Sequence, residues 1–170
     1  MELSSIIQSL VRAFALVGGL GLFAQTPKAM VWVSQVGTAE GVIYNYKIKN
    51  CSLSPIWKID IGRKSNQDPT LDVEPIHVLS PKYWQGVSRW LEESFPERYL
   101  LTWKQPDMSM GTALIQPDSI KQDFSVEVLH KSDTYTECMY TVYFASGENY
   151  SDKVIILNSV ETKQIIKKKH

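Results

Sequence analysis

An all-β protein, built as an antiparallel β-sandwich, is the fold class this sequence predicts, and three observations carry it. Short runs of alternating apolar and polar residues recur from about residue 30 to residue 157. Clusters of Gly, Pro, Asn, Asp and Ser separate them, and stretches with a helical period are few. Alternation with period two is what a half-buried strand requires, and many short strands between turn signals pack best as two facing sheets.

The clearest pair of strands lies between Gly41 and Gly62. Val42, Tyr44, Tyr46 and Ile48 alternate with Ile43, Asn45, Lys47 and Lys49. Asn50-Cys51-Ser52 and Ser54-Pro55 punctuate the run, and Ile56 to Ile61 resumes it. Before this pair, Met30 to Val36 alternates and predicts an earlier strand. After it, residues 63–82 carry Pro69, Pro75 and Pro81 and little periodicity, so a long surface loop is expected, with one short strand near Leu71–Val73. Residues 81–94 are ambiguous. Trp84, Val87, Trp90 and Leu91 have helical spacing behind a Ser80-Pro81 cap, while a turn at Tyr83 to Gly86 followed by a strand suits the surroundings better. Tyr99, Leu101 and Trp103 then alternate. A turn is centred on Pro117-Asp118. Ile120, Gln122, Phe124, Val126, Val128 and His130 share one face, opposite Lys121, Asp123 and Ser125. Met139 to Phe144 and Val154 to Leu157 complete the strands.

The first residues read as an address. Arg12 precedes an apolar or small-residue run from Ala13 to Ala24, the pattern of a signal-peptide helix. It is shorter than the ~20 residues that a membrane-spanning helix needs. Residues 1–29 are therefore expected to be a signal peptide cut after Ala24 or Ala29, residues 30–160 the β-sandwich, and residues 161–170 a basic tail. The expected location is secreted, periplasmic or on the cell surface, with no membrane span in the mature chain.

Composition narrows the classes of function. Formal net charge is zero with 21% charged residues, which argues against a nucleic-acid partner that would need a basic surplus. His77, His130 and His170 have no metal-ligand spacing, and neither cysteine has a Cys or His neighbour, so no metal or other cofactor is expected. The Asn66–Asp72 loop has oxygen ligands but lacks the order of a calcium loop. Asn50 and Asn149 open formal glycosylation sequons. Two cysteines in an exported chain permit one bridge, Cys51–Cys138, which is the expectation here; the alternative is two free thiols.

Tyr44-x-Tyr46-x-Ile48-x-Asn50, the Pro55-Ile56 entry to a strand, Trp103, Ile115-x-Pro117-Asp118-Ser119, Phe124-Ser125-Val126 and Tyr140 to Phe144 together resemble bacterial exported immunoglobulin-like sandwich modules. The resemblance covers roughly residues 40–146 and implies a non-catalytic module at the cell envelope. The chain departs from anchored members, ending in Lys167-Lys168-Lys169-His170 without a long apolar tail. It also departs from antibody domains, because Trp57 follows Cys51 too closely.

The expected function is thus structural or protein-binding. A second reading is a carbohydrate-binding module using Tyr83, Trp84 and Trp90, with polysaccharide as partner, since flat exposed rings stack on sugars. Tyr83 and Trp84 are expected to be exposed, and Trp57 and Trp103 to be core. The third reading is a hydrolase pairing Glu92 or Glu93 with Asp60 or Asp107.

Overall fold

The computed structural model describes residues 26–63, 70–90 and 98–157. The expected signal-peptide helix, the basic tail, Glu92, Glu93 and most of the calcium-loop residues lie outside them. Strands β1 (Ala29–Gly37), β2 (Val42–Asn50), β3 (Ile56–Arg63), β4 (Pro75–Leu79), β5 (Gln85–Trp90), β6 (Tyr99–Lys104), β7 (Ile120–Val128), β8 (Met139–Phe144), β9 (Asn149–Lys153) and β10 (Ile155–Ile156) form two sheets. The first sheet runs β10-β1-β2-β7-β4 and the second β5-β6-β3-β8-β9. All pairings are antiparallel except β1 with β10, which is parallel. The sandwich expectation holds, with that one parallel edge as its exception.

Alternation along the strands builds the core. Val31 and Val33 of β1, Tyr44, Tyr46 and Ile48 of β2, and Phe124, Val126 and Val128 of β7 face Ile59, Ile61, Leu101, Trp103, Tyr140 and Val142 of the second sheet. Fully burying each such side chain contributes about 1.5–3 kcal/mol before entropy is counted. The core tyrosines solve the polar problem their phenols create by donating to backbone carbonyls. Tyr44 reaches Ser132 at 2.7 Å, Tyr46 reaches Tyr135 at 2.8 Å, and Tyr140 reaches Ala29 at 2.6 Å.

Strand register departs from simple alternation at bulges. Between β3 and β8 the register shifts between Ile56 and Lys58, so Ile56 turns inward although it shares parity with Lys58 and Asp60. Trp57 is thereby left half-buried on the outer face, tilted against Tyr143 at 6.4 Å, while Trp103 is fully buried as expected. The long loop expected at 63–82 contains β4, an edge strand that opens on Pro75. Proline is tolerated there because a strand's first, edge position needs no donor. Residues 85–90 are strand, which resolves the helix-or-strand ambiguity over the described part of 81–94.

The expected disulfide is absent: Cys51 and Cys138 are both free. Cys51 is held in the β2–β3 connection, its N–H donating to the Lys28 carbonyl at 2.9 Å. Cys138 is buried ahead of β8, where its thiol points to the Tyr135 carbonyl at 3.8 Å. Burial pushes the Cys138 thiol up to about 12, which keeps it protonated and unreactive. Asn50, the first sequon, is fully buried, and its amide donates to Ser54 and Ile115 carbonyls, so it has no room for a glycan.

Candidate functional site

The residues proposed for ligand binding fall at two ends of one strand. Tyr83 and Trp84 lead into β5 and Trp90 closes it, a separation of about 20 Å at the usual strand rise. They form no continuous row of rings. Tyr83 and Trp90 are 51% and 49% exposed, whereas Trp84 is only 6% exposed.

The cause of that split is the turn before β5. Trp84 N–H donates to the Pro81 carbonyl at 3.0 Å, closing a four-residue turn with Tyr83 in its third position at φ 72°. Gly or Asn normally occupies a position of positive φ, because an L side chain is strained there. The turn throws the Tyr83 ring outward and sends Trp84 inward. The Trp84 indole meets Phe124 edge-on at 5.2 Å and donates to the Ala113 carbonyl at 2.8 Å. The expectation that Trp84 is exposed is therefore corrected.

A second strained residue faces the first. Tyr46 pairs with Phe124 and Ile48 with Lys121, so β7 carries one extra residue in a bulge over Gln122 and Asp123. Asp123 sits there at φ 71°. The bulge reverses the parity of everything before it. Ile120, expected on the core face, is exposed, and Lys121, expected outside, comes to the side of buried Ile48. The Lys121 ammonium donates to the Ala113 carbonyl at 3.2 Å. Desolvation lowers its pKa, and the Asp123 carboxylate partly opposes that.

These pieces enclose a cleft of about 430 Å³ whose walls include Lys82, Tyr83, Thr112, Lys121, Gln122 and Asp123. The Lys82 ammonium lies 4.8 Å from the Tyr83 ring centroid. Ion pairs within 4 Å among the described residues are Lys28–Glu148, Lys58–Asp60 and Lys131–Asp133. Neither cleft lysine has such a partner among the described residues. Sequence reading found Tyr83 from its loop context but missed Lys82, Lys121 and Asp123, because only the bulge brings the last two to this side.

The two described carboxylates considered for hydrolysis, Asp60 and Asp107, are otherwise engaged. Asp60 is fully buried on the outer face of the second sheet, accepting from Thr102 Oγ1 at 2.7 Å and Tyr143 OH at 2.8 Å, with Lys58 Nζ at 3.1 Å. Asp107 is exposed and caps Ser109. Asp72, from the calcium-loop stretch, accepts from Ser132 and Thr134 hydroxyls. Among the described residues no group of three or more His, Cys, Asp or Glu side chains is placed to hold a metal, and no helix is long and apolar enough to cross a membrane.

No protein-family model matches the chain, and no curated protein matches it. Among solved structures, an uncharacterised protein from Nocardia farcinica with an immunoglobulin-like fold is similar over 72% of this chain and 82% of its own, at 13% identity and TM-score 0.51. An exo-β-N-acetylglucosaminidase from Vibrio harveyi is similar over 76% of this chain but 18% of its own, at 11% identity and TM-score 0.44. A cohesin–dockerin complex from Clostridium thermocellum is similar over 76% of this chain and 99% of its own, at 13% identity and TM-score 0.36. The Nocardia likeness places the chain among immunoglobulin-like β-sandwiches; at these identities the comparisons speak to fold alone.

Proposed function

We propose that the protein is an exported, non-catalytic β-sandwich that works as an interaction module outside the cytoplasm. One observation carries the reading. Exposed apolar and aromatic side chains gather on the corner where the edge strands β4 and β5 meet: Ile76, Leu79, Tyr83, Val87 and Trp90. Open strand edges bearing such residues are surfaces on which other chains add. Photo-crosslinking tests it in the cells that make the protein, with a benzophenone amino acid at Leu79 or Val87 against Asn45 and Asp152 as controls. Discrete adducts at the corner alone are expected; equal labelling everywhere, or none, refutes the reading.

Export is part of the proposal, and three contacts favour the earlier of its two cleavage sites. The Lys28 carbonyl accepts from Cys51 N–H, its ammonium pairs with Glu148 at 2.8 Å, and buried Ala29 accepts from Tyr140. Cutting after Ala29 would discard all three contacts, which supports cleavage after Ala24. N-terminal sequencing of the fractionated protein checks this, and an intact Met1 chain confined to the cytoplasm overturns it. A second reading, sugar binding, keeps one specific support, the exposed Tyr83 ring beside a polar cleft.

A further inference from the structure

We infer that the Tyr83 cleft is a subsite for one acidic sugar residue of a polysaccharide, with Lys82 and Lys121 receiving its carboxylate, Tyr83 meeting its ring and Asp123 accepting its hydroxyls. The inference rests on the sugar-binding reading of this corner and adds the class of sugar.

Three features point to that chemistry. The cleft, about 430 Å³, lies in the range of small-molecule sites and combines an aromatic ring with polar walls. Its two ammoniums have no carboxylate within 4 Å among the described residues, so an incoming anion completes them. Asp123 lines the same cleft and would repel a densely anionic ligand such as a nucleic-acid strand, yet it can accept hydrogen bonds from hydroxyls. One negative group among many hydroxyls satisfies every wall; that is a uronic or comparable sugar acid.

Backbone strain marks the same place. Three non-glycine residues among those described have positive φ, and two of them, Tyr83 and Asp123, line this one cleft. An aromatic residue in such a conformation is unfavourable, and strain of this kind persists where the surroundings or a function hold it. Both strained residues serve the geometry directly: one presents the ring, and the other makes the bulge that brings Lys121 round.

The experiment titrates the protein with tetrasaccharides of galacturonate, guluronate, mannuronate and glucuronate. It follows the Trp84 indole N–H signal by NMR, with affinity measured by calorimetry. Methyl-esterified tetragalacturonate and neutral tetragalactose serve as uncharged controls. Saturable binding of at least one uronate is expected, weakened tenfold or more by esterification and by Lys121→Gln, lost in Tyr83→Gly, and unchanged in Trp90→Ala. Tyr83→Gly relieves the positive φ, so loss of binding from a folded variant is not a folding artefact. Equal binding of neutral and acidic sugars, insensitive to Lys121→Gln, overturns the acid assignment and leaves the sugar reading standing. Equal shifts with acetate or sulfate reduce the cleft to an anion patch and overturn the inference. No response to any saccharide overturns both.

Discussion

Thr102→Val isolates one hydrogen bond in the polar cluster on the outer face of the second sheet. Thr102 lies opposite Asp60 in the β3–β6 register, so both side chains stand on the same face. Its hydroxyl donates to Asp60 Oδ1 at 2.7 Å and, among the described residues, is the donor to that oxygen; Tyr143 and Lys58 serve Oδ2. The Asp60 carboxylate is fully buried and Thr102 nearly so, so water does not replace the lost bond. Valine preserves shape and β-branching, which removes the cavity and propensity terms. A hydrogen bond to a charged group is worth about 1.5–3 kcal/mol, so a loss of about 2 kcal/mol is expected. For a domain of this size that is a fall in Tm of about 4–8 °C. Urea unfolding followed by tryptophan fluorescence measures it, with an unchanged m-value showing that the two end states are the same. In an Asp60→Asn background the same substitution is expected to cost less than about 1 kcal/mol, because the acceptor is neutral. A loss below about 0.5 kcal/mol in the native background would refute the claim that this hydroxyl carries the carboxylate.

Further outcomes follow from the core and the turns. Burial opposes the charge on Asp72, but hydroxyl bonds from Ser132 and Thr134, its own backbone and Arg98 hold its carboxyl below the usual range. A depressed folded-state pKa gives stability that is complete above the unfolded value near 3.9 and is lost as pH falls through the folded one. The gap in urea midpoint between the native protein and Asp72→Asn is therefore expected to be open at pH 7 and to close below about pH 4; a gap independent of pH contradicts this. Native Cys138 should react with a disulfide reagent at pH 8 only as fast as the protein opens, because burial pushes its thiol up to about 12. Rapid labelling of both cysteines without urea would count against it. A Cβ at Gly86 would lie 2.5 Å from Val78 and 2.8 Å from the Trp103 ring, so Gly86→Ala should cost about 1–3 kcal/mol; a neutral result would mean the β4–β5 corner repacks freely.

The strands themselves were legible wherever one face is buried without interruption. Tyr44, Tyr46 and Ile48 in β2 alternate in the sequence and alternate in burial, and Leu101 and Trp103 in β6 and Phe124, Val126 and Val128 in β7, which the same alternation puts on the core face, are all buried. Strand β4 escaped notice because Pro75 and an exposed, edge-strand pattern leave no clean period. The site was legible only in Tyr83. Trp84 has the same loop-like context in the sequence, and nothing local says that the turn geometry sends one ring out and its neighbour in.

Fold class, strand order along the chain and the core face of the central strands are local properties, because a half-buried strand repeats every two residues whatever it packs against. Pairing is not local. The bulges at Trp57 and Asp123 arise when two strands of unequal residue count must lie in register, and each reverses the faces on one side of it. Only the assembled sheets could turn Ile56 into the core, bring Lys121 beside the Tyr83 turn, bury Asp60 under Lys58 and Tyr143, and leave Cys51 and Cys138 unbridged. Alternation states which residues share a face between interruptions; where the interruptions fall is decided by the partner strand.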